Sequence, residues 1–225
     1  MKQVTLSLIA FVLLFSMSCK KKDFQDYQVI YRVTYEGLWS SSTHPTDFPG
    51  GAHWSPFIGL THNEDVSLFE TRTSASAGIQ EVAETGGTTN IEAEIAAIIA
   101  SGNGRDQVKG ETFDSPGTSN EVLIGLDSAH TYVSLVSMVA PSPDWFVACE
   151  NINLNFGGRW IDKYEAPVRV YDAGTDDGTT YTSGDAVTTP QGEIIQISSG
   201  PLWNGNDVAT MGVFTFERID RTRPE

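Results

Sequence analysis

A mainly β protein is predicted here: an antiparallel two-sheet sandwich with two short α-helices inserted between strands. Short apolar stretches recur along the chain, each broken by Gly, Pro, Ser or Asn, at the spacing of sandwich strands. The stretch Gln28–Trp39 alternates cleanly, with Val29, Tyr31, Val33 and Tyr35 on one face and Ile30, Arg32, Thr34 and Glu36 on the other. Helical periodicity is confined to one central segment, so strands and helices do not alternate as a parallel α/β sheet requires.

The N-terminal residues precede that domain. Lys2 is followed by an apolar run, Val4–Phe15. About a dozen residues is short of the ~20 that cross a bilayer, but it suits the core of a secretory signal. Ser16, Met17 and Ser18 lead into Cys19, and Lys20, Lys21 and Lys22 follow. This resembles a bacterial lipoprotein signal in which Cys19 is lipidated and becomes the first mature residue, although Ser16 stands where that pattern usually has Leu. The expected division is a signal over residues 1–18, the lipidated Cys and a tether over 19–27, and one domain over 28–225. A lipid would anchor the protein without a crossing helix. The expected location is a bacterial envelope membrane, the outer one foremost, facing periplasm or exterior. An ordinary cleaved signal is the alternative.

Along the domain, Ser40–Ala52 is a loop by composition. Trp54–Thr61 and Val66–Thr71 are predicted as short strands. Ile79 and Val82 mark a helix over Ser76–Thr85, stopped by Gly86 and Gly87. Thr89 and Glu92 suggest a capping box for a second helix. Ile91, Ile95, Ile98 and Ile99 form its apolar stripe, and Gly102 ends it. Further strands are predicted at Gln107–Phe113, Thr131–Val139, Trp145–Cys149, Pro167–Tyr171, Glu193–Ile197 and Val208–Ile219.

Charge and cysteine content narrow the function. The net charge of −15 includes Lys2, so removing residues 1–18 leaves a 207-residue chain at −16. That disfavours nucleic acid, whose phosphates it repels, and equally direct attraction to anionic lipid or sulfated glycan. Only two Cys occur. With Cys19 lipidated, Cys149 has no partner, and its apolar surroundings predict a buried inert thiol. The Gly-x-Ser-x-Gly elbow of many hydrolases is absent. Trp39, Trp54, Trp145, Trp160 and Trp203 could line a glycan platform, but at least three of them are expected in the core.

Two acidic clusters stand out. Pro141–Trp145 carries Asp144, and Asp172–Gly178 carries Asp172, Asp176 and Asp177. Both lie where apolar runs give way to turn residues, so both cap strands. Carboxylates gathered there repel one another unless a cation lies between them, and a hard divalent ion, calcium above all, fits oxygen ligands. Gly174 lets the chain turn so that Asp172 and Asp176 can share an ion. The spacing is not that of a helix–loop–helix calcium site, which needs Gly where Asp177 stands and Glu where Ser183 stands. Simple turn capping by Asp is the alternative. His44, His53 and His62, with Glu64 and Asp65 nearby, could in principle hold zinc. Structural histidines are the expectation.

Several motifs in order resemble the spondin domain of the F-spondin and mindin type. They are Tyr31–Trp39, Thr43–Pro45, His53–Ser55, Ile58–Gly59, Gly78–Glu84, Pro141–Trp145, and Asp172–Asp176 with Gly178 and Tyr181. The resemblance covers about Gln28 to Ile219. It implies a two-sheet sandwich binding one Ca2+, with ligands at Asp144, Asp172 and Asp176 and Asp177 as a neighbour. It also implies a non-catalytic adhesion or recognition module whose partner is a protein or glycan at a cell surface. Animal members carry disulfide cysteines that this chain lacks, so their receptor binding is not carried over. The alternatives are a metal-dependent envelope hydrolase acting on glycan or lipid, and a structural subunit whose sheet edge docks a partner.

Overall fold

The computed structural model describes residues 28–203 and 207–220. The predicted signal, Cys19 and the tether lie outside them. Two antiparallel sheets face each other. The smaller has five strands: Lys163–Pro167, Gly212–Arg218 and Val29–Gly37 side by side, then Gly117–Thr118 and Val122–Leu126, which both pair with Val29–Gly37. The larger has eight. Ile195–Gln196, Arg169–Asp172, Trp145–Asn153 and Tyr132–Ala140 run in order, followed by His53–Trp54 and Phe113–Asp114. Ile58–His62 also pairs with Tyr132–Ala140 and brings in Gly104–Lys109.

The core lies between the sheets. Tyr31, Val33, Tyr35, Phe214 and Phe216 of the smaller sheet meet Trp54, Val133, Leu135, Val139 and Val147 of the larger. The predicted alternation of Val29–Gly37 holds because only one of its faces is fully buried. The larger sheet is covered on both faces. Its outer side carries Ile58, Leu60, Phe146 and Tyr171, packed against helices α1 (Ala77–Thr85) and α2 (Thr89–Ala100). Tyr132–Ala140 is therefore buried along nearly its whole length, which explains its largely apolar sequence; the two serines within it, Ser134 and Ser137, are buried as well. Trp39, Trp54 and Trp145 are core residues, whereas Trp160 and Trp203 are half-buried.

Both inserted helices are present; the first starts as the sequence predicts, and the second is capped differently. Ser76 caps α1, its hydroxyl accepting from the Ile79 amide at 3.2 Å. The residue before α2 is Thr88, and its hydroxyl donates to Glu92 instead of capping an amide. No Thr89–Glu92 box forms. The two helices cap each other instead. Glu81 of α1 accepts from the Asn90 amide at 2.6 Å, and Glu94 of α2 accepts from the Gly78 amide at 2.8 Å. A carboxylate at a helix start satisfies an orphan N–H and complements the dipole.

Val66–Thr71 is not a strand. Val66 and Phe69 are anchors three residues apart, both buried, and the Phe69 ring stands edge-on to Phe146 and Tyr171. A three-residue interval cannot keep both on one face of a strand. Pro167–Tyr171 also differs. The chain leaves the smaller sheet at Pro167 and enters the larger at Arg169, with Val168 at the crossing bonded to the Gly212 carbonyl.

Candidate metal centre

The two acidic loops meet at one end of the larger sheet. Trp145 is the ladder partner of Asp172. One step further, the Ala173 amide donates to the Asp144 carbonyl at 3.1 Å. Gly174, at φ 70°, then turns the chain against Glu193, leaving no room for a Cβ. The turn brings the next two amides onto the Asp144 side chain. Asp144 Oδ2 accepts from Thr175 N at 2.7 Å, from Asp176 N at 3.1 Å and from the Thr175 hydroxyl at 3.3 Å. Asp144 is fully buried, yet its second oxygen, Oδ1, has no hydrogen-bond partner within the protein. Burial pushes its carboxyl up to about 6, and the negative charge of Asp172 adds to this while the Thr175 and Asp176 amides oppose it.

The other two carboxylates shape the loop around it. Asp172 Oδ1 accepts from the Gly174 amide at 2.8 Å, and its carboxyl also takes a hydrogen bond from the Trp145 side chain. Burial raises it, and Asp176 raises it further. Asp176 Oδ1 accepts from Gly178 N and Oδ2 from Ala186 N, each at 2.7 Å. Asp177 lies outside this set, with its carboxylate on the Thr188 hydroxyl. On either side are two open clefts of about 340 Å³. One has Asp176, Glu84, Ser142 and Asp185 on its walls, and the other has Asp172, Trp145 and Gly178.

A family model described as Spondin_N matches residues 29–207. The chain belongs to the spondin N-terminal domain family. It is 32% identical to Spondin-2 of Homo sapiens over 179 residues, covering 75% of this chain and 52% of that protein. It is 31% identical to Spondin-1 of Rattus norvegicus over 205 residues, covering 85% of this chain and 25% of that protein. The chain thus spans about half the length of one relative and a quarter of the other.

In this spondin domain Asp144, Asp172 and Asp176 are neighbours, as the sequence suggested, but their side chains are not a closed ligand set. Among the described residues, no three His, Cys, Asp or Glu side chains converge as a preformed metal site. The carboxylates are turned onto backbone amides. A carboxylate oxygen has two lone pairs, so an amide bond leaves one for a cation. The unpartnered Asp144 Oδ1 is a donor that a hard cation fits. Each donor is oxygen, which suits calcium better than zinc.

The histidines are separate from this centre. His62 is fully buried, with Nδ1 at 2.7 Å from the Asn63 carbonyl and Nε2 at 2.8 Å from the Ser134 hydroxyl. His44 lies between the Thr43 hydroxyl and the Ala209 carbonyl, and His53 Nδ1 meets the Gly51 carbonyl at 2.8 Å. Cys149 is buried, and desolvation pushes its thiol well above the ordinary range. Sequence reading missed Thr175, Gly178 and Ala186, whose backbone N–H groups hold the loops. The repeated Asp-x-Gly at 172–174 and 176–178 was the available signal, because Asp commonly accepts from the amide two residues on.

Proposed function

We propose that this spondin domain is a non-catalytic recognition module of a bacterial cell envelope, with one calcium ion ordering the loops at one end of the sandwich. The observation that carries this reading is Asp144 Oδ1, a carboxylate oxygen fully buried beside Asp172 without a partner. Leaving a buried charged group unsatisfied is costly. When bound, calcium supplies the charge that lets Asp144, Asp172 and Asp176 ionise side by side. The chain's own contribution is to bring two loops together through Thr175, Gly174 and the Asp144 backbone. Loops already ordered lose less entropy when a partner binds. The expected partner is a protein or glycan on a cell surface, and anchorage through lipidated Cys19 would display the domain there.

The hydrolase reading has less support. The most nucleophilic side-chain type present, Cys149, is buried with a raised pKa. Each buried histidine is held by structural partners, with no carboxylate bonded to it. Terbium titration tests the metal site. Trp145 is hydrogen-bonded to Asp172, so Tb3+ bound there should luminesce when the indole is excited, calcium should quench the signal, and Asp144→Asn with Asp176→Asn should abolish it. Undiminished luminescence in that double variant would refute the assignment. A Cys19→Ser variant should move from the membrane to the soluble fraction, and retention would refute the anchor. A glycan array run with and without calcium tests the recognition reading.

A further inference from the structure

Positive charge is scarce on this protein, so its unpaired cations are informative. Among the described residues, Arg32 pairs with Glu121 and Glu217, Arg105 with Asp127, Lys109 with Glu92, Lys163 with Glu165, and Arg218 with Asp220. Among the described residues the remaining arginines are Arg72, Arg159 and Arg169, and none of them forms an ion pair with a carboxylate. Arg159 stands alone on the Asn155–Phe156/Arg159–Trp160 hairpin. The other two share a cleft of about 360 Å³, with Tyr171, Ile194 and Gln196 on its walls.

The cleft is built. Arg169 and Tyr171 project from alternate positions of one strand, on the face where Tyr171 packs with Phe69 and Phe146. Burial pushes the Tyr171 pKa up, and Arg169 lies close enough to the Tyr171 side chain to oppose this. Arg72 lines the same cleft from a separate segment of the chain. It occupies a turn closed by the Thr73 hydroxyl on the Glu70 carbonyl at 2.8 Å. The turn is tied to the sheet edge by Arg72 N to Ile194 O at 2.9 Å and Ile194 N to Thr73 O at 2.8 Å. Arg72 has φ 67°, a conformation that favours Gly. An arginine kept at a glycine-type position carries strain that its side chain's role can explain. The neighbouring Glu150 forms no ion pair with either arginine; its carboxylate accepts from the Ser67 hydroxyl at 2.6 Å.

We propose that the cleft between Arg72 and Arg169 is an oxyanion site that takes the phosphate or sulfate group of a soluble ligand. Two planar guanidiniums lining one cleft offer several directed N–H donors, a match to such a group. The protein's overall negative charge does not forbid this. At physiological salt, charges more than about 8 Å away are largely screened, whereas contacting arginines are not. The same overall charge opposes docking onto an anionic membrane. The site is on the opposite face of the Arg169–Asp172 strand from Asp172, so it does not depend on the metal reading.

Calorimetric titration of the full chain with inorganic phosphate, and separately sulfate, tests the proposal. Saturable binding is expected. Arg72→Gln and Arg169→Gln should each weaken it at least about tenfold, with Arg159→Gln unchanged. Arg72→Gly should lose affinity equally while keeping the melting temperature, because Gly relieves the positive φ. No binding of either anion, or equal loss in Arg159→Gln, overturns the site. Vesicles of phosphatidylglycerol should not bind. Vesicle binding that disappears in Arg72→Gln would overturn the soluble-ligand assignment.

Discussion

Asp144 and His62 are both fully buried polar side chains on strands or strand ends of the same sheet, and they are handled in opposite ways. Both ring nitrogens of His62 have partners, so the ring is finished as folded. Asp144 has three donors on one oxygen and none on the other. A completed buried polar group serves architecture. The half-complete carboxylate, in a loop crowded with other carboxylates, is where the proposed calcium would bind. From the sequence, a structural histidine is expected in the first region and a calcium site in the second. Hydrogen-bond accounting separates them.

The sharpest way to break this contrast is to remove calcium. Chelation should lower the melting temperature, since an ion at 100 to 1,000 times its Kd adds about 3–4 kcal/mol to a site present only in the folded state. Asp144→Asn should abolish that dependence and, in chelator, should leave the protein at least as stable as the wild type, because it removes an unpaired buried charge. Full calcium stabilisation in the variant would end the case for Asp144. Next in size, His62→Ala should cost about 2–4 kcal/mol in urea unfolding, from lost packing and an orphaned Ser134 and Asn63. The loss should be the same with and without calcium. A loss that calcium alters would place His62 in the metal site after all.

The smallest effect is on pH, and its signs differ between the two regions. Burial lowers the His62 pKa below its ordinary 6.5. The unfolded chain therefore binds that proton more tightly, and this contribution to stability is present above 6.5 and lost as pH falls below it. In metal-free protein Asp144 is raised from 3.8 to about 6. The folded chain binds that proton more tightly, so this contribution is present below 3.8 and lost as pH rises through about 6. Melting curves in chelator should show the gap between wild type and Asp144→Asn shifting in favour of the variant across that window. A gap independent of pH would mean Asp144 ionises normally.

Regions with one buried face were readable from sequence, and Val29–Gly37 is the clearest case. Lys163–Pro167 was invisible because it is an edge strand with only Ala166 buried, so it carries no apolar alternation. Two-residue strands such as Gly117–Thr118 are too short to show a period at all. Val66–Thr71 misled because anchoring side chains in an irregular segment resemble a short strand in composition. At the acidic loops the three aspartates and the Gly174 turn were legible. The role of Thr175 was not, since it acts mainly through a backbone amide, and every residue but proline has one.

The crossed bonds between the two inserted helices have a consequence for how this segment can be varied. Glu81 and Glu94 each complete the other helix's opening turn, so neither helix is finished without its companion. Excising or transplanting one alone would strand an amide on the survivor. The pair is therefore a single inheritable block, and relatives that shorten this insertion would be expected to drop both helices together.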